Sequence, residues 1–282
     1  MSHYVSWQSE DIRLLFARLD DLCRRGERGE SAYTAYLTPR EAKYAASYLS
    51  ARLRAGTALL WGGYPEAERV RVMILPDYTE GMVSPEALAA DPVTALRDGG
   101  PDDLAEALEA AVCAVRIRGS GFRELSHRDY LGSVLGLGLE RSAIGDILTP
   151  DPHTAILLTS ALTADFLATG LSKVATDTVK VTRLPAGAPL GATRRLQPVT
   201  DTVASRRLDC VVAALCNLSR EKAQTAIRSG LVELDYEPCE ACDTPVEAPA
   251  TVTVRGFGKF AVHSFGGVTK KGRMRLMAGK YV

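Results

Sequence analysis

The residues best suited to chemistry in this sequence are cations set at helical spacing. Arg220, Gln224 and Arg228 recur every four residues and form one polar stripe, with Ala223, Ala226 and Ile227 as the adjoining apolar stripe. Guanidinium groups on a rigid helix can fork onto phosphate oxygens. Downstream, Arg255-Gly256-Phe257-Gly258-Lys259 reads as a tight glycine turn carrying two cations and one aromatic ring. Phe257 could stack on a base or a sugar. Together these types point to a nucleic-acid backbone as the ligand.

Other constellations are weaker. His127-Arg128-Asp129 has the look of a kinase catalytic loop, but the Asn, the Asp-Phe-Gly and the glycine-rich loop that should accompany it do not appear in order. Gly136-Leu137-Gly138 follows a helical stretch and lacks the third glycine of a dinucleotide turn. Cys239-Glu240-Ala241-Cys242 has metal-ligand spacing, yet there is no second pair, and His263 alone does not complete a four-ligand site. Asp102, Asp103, Glu106 and Glu109 read as a helix start and its solvated face. No nucleophile–base pair stands out. No catalytic residue, metal or cofactor is expected.

Charge supports the reading. The 282 residues carry equal numbers of basic and acidic groups. From Arg194 onward there are 14 Lys and Arg against 9 Asp and Glu, and the residues before it are acidic by the same margin. A neutral chain with one basic end resembles a nucleic-acid binder with a local electrostatic footprint. The start has no basic segment followed by an apolar core, and no apolar run approaches the roughly 18 residues of a membrane span. A cytoplasmic protein with no membrane partner is expected. The six scattered cysteines argue against a disulfide framework.

An α+β, multidomain chain must position these residues. Residues 1–66 read as a small, mainly helical N-terminal region, with Ile12, Leu15, Phe16 and Leu19 on one helix, a break over residues 24–29, and a second helix opened by Pro39. Residues 67–184 read as a ferredoxin-like (RRM-like) domain. Its expected strands are 69–75, 114–118, 144–148, 155–158 and 179–184, and its expected helices 85–95, 101–111, 127–137 and 162–175. The Pro- and Gly-rich residues 185–193 read as a linker. Residues 194–282 form the basic domain. Its first helix places Leu208, Val211, Val212 and Leu215 on one face, Ser219 caps the second helix and Gly230 ends it. Strands are expected at 231–235, 251–255 and 259–263.

Arg207-Leu208-Asp209, then Leu218-Ser219-Arg220-Glu221-Lys222-Ala223, then Ile227-Arg228-Ser229-Gly230-Leu231-Val232 resembles the S-four RNA-binding domain, named after ribosomal small-subunit protein four. It departs from that pattern at Asp235-Tyr236, where Asn-Gly is usual, and at Ala248-Pro249-Ala250, where Gly-Asp is usual. Both departures lie in turns of the sheet. His127-Arg128-Asp129-Tyr130-Leu131-Gly132, residues 136–141, Ile144-Gly145-Asp146-Ile147-Leu148, residues 255–260 and residues 269–276 resemble the YlmH family of bacterial proteins.

The resemblance implies a non-enzymatic protein that binds ribosomal and transfer RNA on the large ribosomal subunit, in rescue or quality control of stalled translation. The candidate RNA-contacting residues are Arg206, Arg207, Ser219, Arg220, Lys222, Gln224 and Arg228 on the helices, then Arg255, Phe257, Lys259, Lys270, Lys271 and Arg273 on the sheet turns. Arg116, Arg118, Arg123, Arg128 and Arg141 are candidates for a second RNA or protein surface in the central domain. The alternative is an RNA-modifying enzyme, because S-four domains also accompany pseudouridine synthases and methyltransferases. A third reading makes the central domain a protein-partner module.

Overall fold

The computed structural model describes residues 10–54, 56–191, 196–269 and 272–281. The chain divides into two compact units, Met1–Ala192 and Thr193–Val282.

The first unit opens with α1 (Glu10–Glu27) and α2 (Pro39–Ser50), which pack through Leu15, Leu19, Tyr44 and Leu49. Thr38 caps α2 in a capping box with Glu41, and Pro39 opens its first turn. The break expected over residues 24–29 begins late, because α1 runs on to Glu27. Gly26 lies inside it, and a Cβ there would sit 2.6 Å from Cγ2 of Ile74. That glycine serves close packing of helix on strand.

The region is not only helical. β1 (Ala32–Tyr33), β2 (Ala58–Trp61) and β3 (Arg71–Ile74) form an antiparallel sheet in the order β1-β3-β2. The expected boundary at residue 67, with β3 as the first strand of the central domain, is therefore corrected. Burial explains the misassignment. Every residue of β3 is buried, with Val72 and Ile74 against α1 and α2, and Met73 in a second cluster with Leu59, Trp61, Leu96 and Leu108. Arg71 is buried with the rest of the strand, over the rings of Tyr33 and Tyr36 at 5.1 and 4.5 Å.

That second cluster is filled by α3 (Pro85–Ala90), α4 (Pro92–Gly99) and α5 (Asp102–Ala111). The single helix expected over 85–95 is two. Pro92 cannot continue a helix and suits its first turn, and Asp91 accepts the N–H groups of Val93 and Thr94 as the new N-cap.

The central sheet starts at β4 (Cys113–Gly119) and continues with β5 (Ile144–Asp151), β6 (Thr154–Thr159), β7 (Lys173–Val174) and β8 (Asp177–Arg183). Its order is β5-β6-β4-β8-β7, with all neighbours antiparallel. The helices α6 (His127–Leu135) and α7 (Ala161–Gly170) pack on one face through Tyr130, Val134 and Leu167 against Ile117, Leu157 and Val179. Asp146 ties this sheet to the first, accepting from the Tyr64 hydroxyl (2.7 Å) and from the N–H groups of Glu68 (2.8 Å) and Arg69 (3.2 Å). The expected linker over 185–193 is in part packed structure: Ala188 and Leu190 lie against Leu148, Ile156, Leu158 and Leu184 of the sheet.

The second unit is a sheet with a helical pair. Its strands are β9 (Leu196–Val203), β10 (Val232–Leu234), β11 (Glu237–Pro238), β12 (Ala250–Val254), β13 (Gly258–Val268) and β14 (Met274–Tyr281), in the order β11-β10-β12-β13-β14-β9. Sequence patterning did not reveal β9 or β14. The helices α8 (Leu208–Cys216) and α9 (Arg220–Arg228) cover the sheet through Leu208, Val211, Val212 and Ile227. Asp235 and Tyr236 adopt φ of 50° and 67° between β10 and β11. The two-residue primed turn that Asn-Gly favours is thus kept by different residues. No helix among the described residues is long and apolar enough to cross a membrane.

Candidate nucleic-acid interface

The helical pair is organised around a buried carboxylate. Asp209 sits in the first turn of α8 with no exposed surface. It accepts from Arg207 (3.2 and 3.3 Å), from Nε of Arg220 (3.1 Å) and from Nε2 of Gln224 (2.9 Å). Burial alone would raise its pKa, but the hydrogen bonds from Arg207, Gln224 and Arg220 outweigh it and hold the carboxyl well below the usual carboxylate range. Asp209 thereby fixes α9 against α8.

The corner between the helices is built locally. Asn217 takes the left-handed conformation at φ 52° and closes α8 through the Ala213 and Ala214 carbonyls. Ser219 accepts the Lys222 N–H and caps α9. Gly230, at φ 67°, follows α9.

The expected basic stripe therefore divides. Arg220 and Gln224 turn to Asp209, whereas Lys222 and Arg228 are exposed, with no side-chain hydrogen bond or ion pair among the described residues. Arg255 is exposed and unpaired in the same sense, and its N–H donates to the Leu231 carbonyl at 2.9 Å. The glycine turn thus begins beside Leu231, which follows α9, and its Phe257 is 39% exposed. Gly256 and Gly258, at φ 89° and 119°, allow the turn.

The remaining candidates are engaged elsewhere. Lys259 lies over Tyr236 and Tyr281 at 4.7 and 5.0 Å. Arg206 pairs with Glu247 at 3.0 Å and covers Phe265. Arg273 donates to the Thr202 carbonyl. Lys270 and Lys271 lie outside the described residues.

In the central domain Arg141 is not a free cation. It donates to the carbonyls of Ile144 and Gly145, at 2.7 and 3.0 Å. Burial and the neighbouring Arg69 push its pKa down to about 10. Arg123 is bonded to Thr176 and lies 3.9 Å from Asp129, whereas Arg116, Arg118 and Arg128 are exposed. Among the described residues no group of three His, Cys, Asp or Glu could hold a metal ion. Cys239 bonds to Thr244 and Cys242 to the Gln224 carbonyl.

Sequence reading missed Asp209 as the hub, and Lys173 and Lys180 as exposed cations of the central sheet. A carboxylate one residue after Leu208 on an otherwise apolar helix was the available signal for the first. The lysines become significant only through strand pairing.

Residues 9–79 match the family model described as "YlmH, N-terminal", and residues 107–187 the one described as "Putative RNA-binding domain in YlmH". The "Ribosome-associated protein quality control protein P2" of Bacillus subtilis (strain 168) is 30% identical over 244 residues, which cover 86% of this chain and 84% of that one. A solved structure, "Cell division protein ylmH from Streptococcus pneumoniae", is 18% identical and covers 66% of this chain and 95% of its own, with a TM-score of 0.46. With two family models spanning more than half of its length and a relative aligned over most of both chains, this chain belongs to the YlmH family of proteins with an S-four-like RNA-binding domain.

Proposed function

We propose that this protein is a non-enzymatic, cytoplasmic adaptor that binds ribosomal and transfer RNA on the large ribosomal subunit, in the rescue of stalled translation. The name of the Bacillus relative supports the ribosomal setting. The observation that carries the RNA contact is the set of unpaired cations Lys222, Arg228 and Arg255 on a helical pair locked by Asp209. Cations with no internal partner are available to phosphate, and a locked pair loses little entropy on binding.

We read residues 113–183 as a ferredoxin-like domain. The strand order β5-β6-β4-β8, with α6 and α7 on one face, supports that reading. On it, the chain comprises an N-terminal α+β region, this RNA-binding domain and the basic C-terminal domain.

Sedimentation with a cell extract through a sucrose gradient tests the proposal. Co-migration with large subunits at moderate salt is expected, lost at high salt and in the Lys222→Ala/Arg228→Ala variant. Migration only at the top of the gradient at both salts would overturn it.

A further inference from the structure

The face of the central sheet turned away from α6 and α7 carries its own cations. Register places Arg118 opposite Lys180, Arg116 opposite Thr182 and Lys173 opposite Thr178. Residues directly opposite share a face. Their neighbours Ile117, Val174 and Val179 point the other way, into the core with the helices. Arg116, Arg118, Lys173 and Lys180 are all exposed, and none makes a side-chain hydrogen bond or ion pair among the described residues. Arg116, Arg118, His153 and Thr154 line a groove walled by the Pro150–Pro152 turn and by Pro189–Gly191. Its one acid, Asp151, accepts the His153 N–H at 2.8 Å.

At the end of β4 a loop presents Phe122, which is 85% exposed. The loop is fastened. The buried Asp177 accepts the Ser120 N–H at 3.1 Å and the Ser120 hydroxyl. The Phe122 N–H donates to the Ser120 hydroxyl oxygen at 3.2 Å, and the Arg123 carbonyl is bonded to Nδ1 of His153 at 2.9 Å. Through His153 the loop abuts the groove.

We propose that this face binds an extended single-stranded segment of RNA, its phosphates along Arg116, Arg118, Lys173 and Lys180 and one unstacked base on Phe122. The proposal rests on the RNA-binding reading above and deepens it. Side chains two residues apart on a strand are about 6.8 Å apart, and neighbouring strands about 4.8 Å. That lattice of point charges suits a backbone that can adjust to it. Duplex bases are covered by their own neighbours and offer Phe122 no face, whereas single-stranded bases do.

Fluorescence anisotropy tests it, with a labelled single-stranded oligoribonucleotide, unlabelled duplex as competitor, and the full chain carrying Lys222→Ala and Arg228→Ala. Adding Arg116→Ala, Arg118→Ala and Lys180→Ala should weaken binding at least tenfold, leave the melting temperature unchanged, and flatten the slope of log affinity against log salt by about 2. Phe122→Ala should weaken binding about tenfold, with Phe122→Trp retaining it. Equal affinity and slope in the triple variant, equal affinities of the two Phe122 variants, or competition by duplex as strong as by single strand would each overturn the proposal. Large-subunit binding that depends on Lys222 and Arg228 but ignores the sheet-face variants would sink this inference alone.

Discussion

At the residue scale the central point is that a charged side chain near an RNA surface can be committed inward. Arg220 presents an exposed guanidinium, yet it bonds Asp209, so Arg220→Ala would disturb the α8–α9 pair. Asp209→Asn isolates the structural part. It removes the charge that three donors share, and breaking a buried ionic network costs about 3 kcal/mol. Chemical denaturation of the full chain should show that loss at neutral pH. The pH dependence has a definite sign. The folded carboxyl titrates below its unfolded value, so its contribution is complete above about pH 5 and declines as pH falls below about 4. Thermal melts across that window should therefore fall more steeply for the parent protein than for Asp209→Asn. Parallel curves would remove Asp209 from the account.

At the scale of elements, tight contacts decide which sequence signals survive. Asn217, Ser219, Pro39 and Pro92 act as sequence rules expect, because caps and helix breaks depend on a few adjacent residues. Gly26 does not break its helix, because the compact α1–β3 contact gives the missing side chain another use. Gly26→Ala should therefore destabilise the first unit by about 1–2 kcal/mol, despite alanine's better helix propensity, since Cγ2 of Ile74 is stiff and buried. Urea unfolding reads this directly, and a gain in stability would mean that the helix can shift away from β3.

At the scale of the whole molecule, two cationic surfaces on separate compact units can act through effective concentration when they engage one RNA assembly. On the function proposed above, large-subunit association should then depend on salt more steeply in the parent protein than in variants lacking either set of cations, with the combined variant losing more than either alone. Sedimentation at graded salt measures this, and identical salt slopes in parent and sheet-face variants would confine the contact to the C-terminal unit.

By itself the sequence determined local features and the family: the two helices of the C-terminal unit with Ser219 as N-cap, the basic C-terminal end, and the motifs of residues 127–148 and 207–232 that resemble the YlmH family and its S-four domain. These depend on residue type and short spacing, which a chain carries without folding. Tertiary structure alone decided that β3 belongs with β1 and β2, that residues 188 and 190 pack on the central sheet, and that β9 and β14 join the C-terminal sheet. It also decided which cations are free. Arg220 and Arg228 share a side-chain chemistry and a helix, and only the distance to Asp209, a residue of the preceding helix, separates the one that fastens the fold from the one left to face solvent.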